Sequence, residues 1–483
     1  MTMDLMITHT LDDSGDHKGG PMTDIAKQLD RVFYPGSIGV VGVSSRMDNP
    51  GTLLLRSIMD MGFEGPLYPV NPRYKEILGL TCYASISEIP SSPDLVVLAV
   101  PPAAVPGVVA GCVEAGVSAC VINTAGFSET GRPGGAELEG EILHIIKGSR
   151  LRLVGPNCLG IYSSTGRIAL FGGQRPDGGT VSCISQSGSI ASMLYILGAE
   201  RAIRFSKMVS SGNELDLNCS DYLEYFANDP ETEMIIAYLE EVRGSRRFLE
   251  KAVSIKGKKP LLVWRAGLTE RGRGAAASHT GAVSGSEEVW QAVVRQAGII
   301  AVKDLADTMD AAAAFYHLDR PRGRRICVIS PPGGIAVNCA DMVEKNGLLL
   351  PALGEPTVKR LAEILPREGT GFTNPVDMGF GAVIPGNLLK VIKTAAADPV
   401  VDIIMVVGGA PAYREGDPGL MKMHSSEIKE ASGMTDKPVI AIGIPSGFAF
   451  PYMAELHWAG IPCYQSPGAA CLALSRLLSF HGL

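Results

Sequence analysis

The chain has 483 residues, 46% hydrophobic and only 19% charged, with a formal net charge of −7. That is material for roughly three domains with large cores, and the acidic balance argues against nucleic acid as the main partner. Its 57 glycines and 32 prolines are spread along the chain, as the many short connections of an α/β protein require, and its ten cysteines are scattered without a C-x-x-C pair. Several cysteines, such as Cys120 and Cys327, sit in apolar runs. They read as buried free thiols of a reducing compartment, not as a disulfide frame or a metal site, which points to the cytoplasm.

Residues 1–24 show little apolar periodicity and no signal-peptide pattern, so they are expected to be disordered. The first strand is Ile38–Val41, followed by the small turn Gly42-Val43-Ser44 and a helix from Leu53 to Met61. A strand, a glycine turn and a helix can hold a phosphate at the helix N-terminus. The next strand, Leu67–Val70, runs into Asn71-Pro72 and carries no terminal acid. An acid there would hold the adenosine ribose of NAD, so a Rossmann oxidoreductase is disfavoured. The apolar run Leu95–Val113 is interrupted by Pro101, Pro102 and Pro106, which makes it a strand, a loop and a helix, not a membrane span. Strands at Ala119–Asn123 and Leu151–Val154 end in Thr124-Ala125-Gly126-Phe127 and Gly155-Pro156-Asn157-Cys158-Leu159-Gly160. Small and turn-forming residues thus collect after the strands, on the edge where open α/β sheets bind ligands.

A second unit starts near Gly179. Its strand Thr180–Ile184 leads into Ser185-Gln186-Ser187-Gly188-Ser189 and the helix Ile190–Leu197, another candidate phosphate cradle. Met234–Leu239 delivers Glu240 and Glu241 at its C-terminal end. A carboxylate there can orient an imidazole and fix its tautomer. Pro260–Trp264 then leads to Gly272-Arg273-Gly274-Ala275-Ala276-Ala277-Ser278-His279-Thr280-Gly281. A neutral imidazole among small residues is a nucleophile for phosphorus, and backbone N–H groups around it can hold a phosphoryl group. The same stretch also reads as a flexible Gly/Ala loop with a solvated histidine, and both readings stand at this point. The basic connector at residues 319–325 marks a boundary. A third unit follows, with strands Ile326–Ile329, Ile403–Val407 and Val439–Ile442 and a terminal helix Pro467–Leu478.

Several motifs resemble one superfamily closely. Phe33-Tyr34-Pro35-Gly36-Ser37 with the following strand, Tyr68-Pro69-Val70-Asn71-Pro72, Ala125-Gly126-Phe127-Ser128-Glu129-Thr130-Gly131 and Gly155-Pro156-Asn157-Cys158-Leu159-Gly160 resemble the CoA-binding domain of NDP-forming acyl-CoA synthetases. Ser185-Gln186-Ser187-Gly188, Tyr238-Leu239-Glu240 and Ser278-His279-Thr280-Gly281 resemble its phosphohistidine domain, and Gly333-Gly334 with Asn374-Pro375-Val376-Asp377 the third domain of the ADP-forming branch. The chain is similar to the α subunit, or α half, of ADP-forming acetate–CoA ligases, relatives of succinyl-CoA synthetase.

The resemblance implies an α/β protein: a disordered segment 1–24, a Rossmann-like CoA-binding domain 25–175, and two flavodoxin-like doubly wound domains, 176–320 and 321–483. It implies an acid–CoA ligase that interconverts acyl-CoA, ADP and phosphate with a carboxylic acid, CoA and ATP. The phosphoryl group would pass through His279, oriented by Glu240 and held by Ser185, Ser187, Gly188 and Ser278. CoA is expected at Gly42, Ser44, Asn71, Pro72, Val100, Pro101, Pro102, Thr124, Ala125, Gly126 and Asn157. No ATP-grasp unit is readable in the sequence. The resemblance therefore implies that ATP or ADP and Mg²⁺ bind a separate ATP-grasp β subunit in an α2β2 assembly, with no nucleic acid and no membrane involved. The alternative is a CoA-binding regulatory protein of the same fold without turnover. Ser330-Pro331-Pro332 departs from the family's usual sequence before the Gly pair.

Overall fold

The computed structural model describes residues 24–274, 286–331, 333–408, 418–444 and 449–483. The segment expected to be disordered, apart from Asp24 at the start of the first helix, and residues 275–285, Ser278 and His279 among them, lie outside the described residues. Short apolar runs form three large sheets beside a two-stranded ribbon (Glu76–Ile77 with Leu80–Thr81), and the central strands of the large sheets are buried throughout, as parallel strands covered on both faces must be.

The first unit runs α1 (Asp24–Phe33), β1 (Ile38–Val41), α2 (Pro50–Asp60), β2 (Leu67–Val70), β3 (Leu95–Leu98), α3 (Val105–Ala115), β4 (Ala119–Ile122), α4 (Pro133–Ile146) and β5 (Arg152–Val154). Its parallel sheet has the order β2-β1-β3-β4-β5. Asn49 caps α2 by accepting from the Thr52 N–H at 3.0 Å, and Pro50 opens the helix with its φ already set.

The stretch just before residue 175, expected to close the first unit, instead supplies the second sheet with two antiparallel strands, β6 (Gly160–Ser163) and β7 (Ile168–Ala169). The second unit continues with β8 (Val181–Ser185), α5 (Gly188–Glu200), β9 (Phe205–Ser210), α6 (Cys219–Asn228), β10 (Met234–Leu239), α7 (Ser245–Ile255), β11 (Leu261–Arg265), α8 (Glu287–Ala297), β12 (Ile300–Val302) and α9 (Leu305–His317). The sheet order is β12-β11-β10-β8-β9-β6-β7. Because β6 pairs with β9, the two units share a seam. Helix α1 lies along it: Phe33 stacks on Tyr225 with centroids 5.3 Å apart, and the Tyr225 hydroxyl donates to Asp30 at 2.8 Å. Arg152 grips Asp216 through Nε and Nη2 at 2.8 and 2.9 Å, a fork geometry that fixes angle as well as distance.

The third unit contains β13 (Ile326–Ser330), α10 (Gly333–Lys345), α11 (Glu355–Ile364), β14 (Val376–Asp377), α12 (Asn387–Ala396), β15 (Ile403–Gly408), α13 (Pro418–Ser432), β16 (Val439–Gly443), α14 (Ala449–Trp458), β17 (Cys463–Tyr464) and α15 (Pro467–Phe480). Its sheet order is β14-β13-β15-β16-β17, all parallel. The Asn374 amide fixes the turn before β14, donating to Ile326 O at 2.7 Å and accepting from Val328 N at 3.0 Å. Helices α9 and α15 join units two and three, with Arg476 Nη2 donating to Asp307 at 2.9 Å. All ten cysteines are free and buried. Among the described residues no helix is long and apolar enough to cross a membrane.

Candidate functional site

Each sheet changes winding direction beside its first parallel strand, and loops diverge there to leave a crevice at the strands' C-terminal ends. In the first unit the change falls between β1 and β3. A cavity of about 660 Å³ opens there. Gly42, Asn71, Pro72 and Val100 of the expected CoA residues line it. Its other walls come from the segment Ala84–Ser92 and from Ala104, Gly107, Val108 and Gly111 on or beside α3, none of which was among the expected CoA residues. Their one sequence signal is the small residues Gly107, Gly111 and Ala115 at intervals of four, which clear one face of α3. The cavity is chiefly apolar and rimmed by hydroxyls of Ser85, Ser87, Ser91 and Ser92, a lining that fits an aromatic base and a thin polar chain.

The remaining expected CoA residues shape neighbouring turns. Ser44 closes the β1 turn: its N–H donates to Thr52 Oγ1 at 2.9 Å, and the Thr52 hydroxyl returns to Ser44 O at 2.7 Å. Asn71 Nδ2 donates to Val43 O at 2.6 Å, holding the turns after β1 and β2 together. A Cβ on Gly51 would fall 2.7 Å from the Gly42 carbonyl carbon, so both turn and helix start need glycine. Pro101 and Pro102 lead into α3, and Thr124 Oγ1 donates back to Val100 O at 2.8 Å. Ala125 and Gly126 follow β4. Asn157, at φ 56°, donates its N–H to Thr124 O at 2.9 Å.

In the second unit the winding changes between β8 and β10. Ser187 ends the turn after β8 and caps α5, its hydroxyl accepting from Ile190 N at 3.5 Å. Gly188 begins α5, where a Cβ would lie 2.5 Å from Leu159 Cγ. The first N–H groups of a helix have no intrahelical partner and carry partial positive charge, so this end suits an anion. Ser185 is fully buried, and its hydroxyl donates to Ser187 O at 2.6 Å, which shapes the turn from inside. Glu240 emerges directly after β10, 7% exposed, with the Tyr238 hydroxyl donating to its Oε1 at 3.1 Å. Burial, then the Glu240 carboxylate, pushes the Tyr238 hydroxyl's pKa well up. The helix start and the carboxylate therefore stand on adjacent strands of one sheet edge, as the sequence reading expected.

Asn213, in the turn after β9, ties this edge to the first unit. Asn213 Nδ2 donates to Glu129 Oε2 at 2.7 Å and Glu139 Oε1 at 2.9 Å, while its Oδ1 accepts from Asn157 Nδ2 at 3.2 Å. Glu129 in turn accepts from the N–H groups of Gly126 and Phe127 at 2.6 and 3.1 Å. Burial raises its pKa, but these hydrogen bonds outweigh it and the net shift is downward. Glu214, 3% exposed at φ 53°, accepts from Ser211 Oγ at 2.8 Å. Burial lifts its pKa to about 7 against the opposing pull of Ser211, Gln186 and Arg243. Gln186 bonds the chain on either side of Glu240, and Arg265 Nη1 donates to the carbonyls of Leu239 at 3.0 Å, Ala266 at 2.7 Å and Glu240.

Comparison with known proteins matches these units to families. Residues 36–164 fit a CoA binding domain and residues 178–315 a succinyl-CoA ligase like flavodoxin domain. The subunit alpha of acetate–CoA ligase [ADP-forming] II from Pyrococcus furiosus is 34% identical over 92% of this chain and 97% of its own length. Acetate–CoA ligase [ADP-forming] I from Archaeoglobus fulgidus is also 34% identical, over 93% of this chain, and this chain spans 63% of that longer protein. The dinucleotide forming acetyl-coenzyme A synthetase 1 of Ca. Korarchaeum cryptofilum, solved with phosphate and ADP, superposes with a TM-score of 0.83 at 32% identity, over 94% of this chain and 97% of that one. The crevice geometry, the two matched domains and the near end-to-end alignment with a subunit alpha agree: the chain belongs to the family of ADP-forming acetate–CoA ligases.

Proposed function

We propose that the chain is the α subunit of an ADP-forming acyl-CoA synthetase, working in the cytoplasm with a separate ATP-grasp β subunit as an α2β2 assembly. The observation that carries this reading is the pairing, on adjacent strands, of the α5 start at Ser187-Gly188 with the Glu240 carboxylate, joined through Asn213 to the turns beside the CoA cavity. CoA lies in the cavity against Gly42, Asn71, Pro72 and Val100, its thioester end directed toward the turns at Thr124–Gly126 and Asn157. Inorganic phosphate attacks the acyl carbonyl, the C–S bond breaks, and CoA leaves as its thiol. His279 then attacks phosphorus: a P–N bond forms, the acyl phosphate's P–O bond breaks, and the carboxylate leaves. Finally the terminal oxygen of ADP, held with Mg²⁺ on the partner, takes the phosphoryl group and frees the imidazole. Through these steps Glu240 orients the imidazole, and Ser187 with the N–H groups of the α5 start from Gly188 onward, together with Ser278, holds phosphoryl oxygens. Ser185 keeps the turn in shape. Such transfers need positioning and charge stabilisation more than covalent help from the protein.

The test is phosphate labelling. The chain, alone and with an ATP-grasp partner, is incubated with radiolabelled phosphate, Mg²⁺ and a panel of acyl-CoAs. The expected product is an acid-labile, alkali-stable label that maps to His279 by mass spectrometry and disappears in His279→Ala while CoA affinity persists. Glu240→Gln should label more slowly. CoA binding without label in any preparation would leave a CoA-binding protein without turnover and refute the ligase reading.

A further inference from the structure

The second sheet's ladder stops short of Glu240. Strands β8 and β10 pair as far as Ser185 and Tyr238, and β10 and β11 as far as Leu239 and Arg265. Beyond Ser185 and Tyr238 one side chain continues the connection between β8 and β10. Gln186 donates its own N–H to Tyr238 O at 3.1 Å. Its Oε1 accepts from the N–H groups of Glu240 at 2.6 Å and Glu241 at 2.9 Å, and its Nε2 donates to Glu241 O at 2.8 Å. A carboxamide has one accepting and one donating end. Turned over, it would set an NH₂ group against two N–H donors and its oxygen against a carbonyl, so only one orientation satisfies the site. Arg265 grips the Glu240 carbonyl from the other side. The backbone that launches the Glu240 carboxylate is therefore held by side chains from two neighbouring strands, and the amide of one of them supplies both of its N–H contacts.

We propose that Gln186 is the positioning residue for Glu240, its amide standing in for the sheet ladder where β8 and β10 part and so fixing the direction of the carboxylate. This rests on the reading of Glu240 as the group that orients the phosphoryl-accepting imidazole.

Two substitutions separate positioning from general support. Gln186→Leu keeps the bulk and removes the three side-chain bonds. It should slow phosphate labelling of the full chain on the order of 10²-fold, the scale expected when a reacting group is misplaced by about an ångström, with CoA affinity unchanged. Gln186→Glu keeps an oxygen for the two N–H groups but, when ionised, faces Glu241 O without a hydrogen. Among the described residues, the charged and titratable groups around the introduced carboxyl are Glu214 from the β9 turn, Tyr238, Glu240, Glu241 and Arg243 from β10 and its loop, and Arg265 from β11. Protonation restores the missing donor. The labelling rate of Gln186→Glu relative to wild type should thus climb as the pH falls from 8 to 6, while the Gln186→Leu ratio stays flat. Because Gln186 helps to set the Glu214 pKa, all three proteins are compared in a Glu214→Gln background, which removes that titration from the ratio.

Gln186→Leu labelling at the wild-type rate would overturn the proposal. So would a Gln186→Glu ratio that does not change with pH, or a loss of CoA affinity parallel to the loss of labelling in either variant. A wild-type chain that takes no label with its partner present would instead refute the ligase reading, and this inference with it.

Discussion

Replacing Glu214 by glutamine should stabilise the protein at alkaline pH and leave it unchanged in acid. The carboxyl is 3% exposed, and its pKa is lifted by burial from an ordinary 4.5 to about 7. Below pH 4.5 both folded and unfolded chains keep the proton, and the site imposes no penalty. Between 4.5 and 7 only the unfolded chain ionises, so stability falls steadily as pH rises. Above 7 the folded chain carries a buried carboxylate and the loss is complete. A rise of about 2.5 pH units at 1.36 kcal/mol each amounts to about 3 kcal/mol. Glutamine retains an oxygen for the Ser211 hydroxyl, which approaches to 2.8 Å, and has no charge to bury. Urea unfolding of wild type and Glu214→Gln at pH 5 and pH 8 measures the effect: the variant's advantage should grow by at most about 3 kcal/mol across that range. An advantage of equal size at both pH values would show that the carboxyl is already ionised at pH 5, and the reasoning would fail.

Further outcomes follow from other parts of the molecule. Gly111 lines the cavity of the first unit, and a Cβ there meets no atom within 4 Å; Gly111→Leu should lower CoA affinity at least about tenfold by filling space while α3 is no less stable, since a helix gains about 0.5–1 kcal/mol when an interior glycine is replaced by alanine. Unchanged CoA affinity in a titration would place the ligand elsewhere. Between the second and third units, His457 is 3% exposed and its ring lies 5.9 Å from that of His317. Burial, with the charges of His317 and Arg201, lowers its pKa to about 3, so it stays neutral in the folded chain. Its contribution to stability is present above its ordinary 6.5 and is lost as pH falls toward 3; His457→Gln should therefore weaken the fall in unfolding midpoint between pH 6.5 and 4, and an identical fall in both proteins would count against a neutral His457.

Most of the strands were legible because they are apolar runs closed by turn-forming or polar residues; Met234–Leu239, closed by Glu240-Glu241, is found where its sequence places it. The ends of such runs carry the ligand-facing residues in a doubly wound sheet, which is why Gly42, Asn71, Ser187 and Glu240 could be singled out. Helix α1 was hidden by its position beside a polar terminal segment, although its buried Leu29, Val32 and Phe33 form part of the seam. Strands β6 and β7 were hidden for a different reason. Pairing register is a long-range property, and nothing in Gly160–Ser163 says which of two adjacent sheets it will join. The roles of Gln186 and Asn213 were not legible because they arise from partners 54 to 84 positions away in the chain, and that of Glu214 because it arises from burial. An amide or acid in a turn carries no local sign of such a partner.

The burial of the ten thiols has a consequence for a protein that handles thioesters. An acyl-CoA is an electrophile toward any accessible thiolate, and a ligase carrying reactive cysteines would acylate itself. Cys158 sits in the Gly155–Gly160 turn beside the proposed thioester end, yet its Sγ–H points to Ile122 O at 3.4 Å, and burial pushes its pKa to about 12. It is neither exposed nor ionised at neutral pH. With all ten thiols buried, the chain offers no cysteine nucleophile to an activated acyl group, and the same burial protects it from forming mixed disulfides with free CoA.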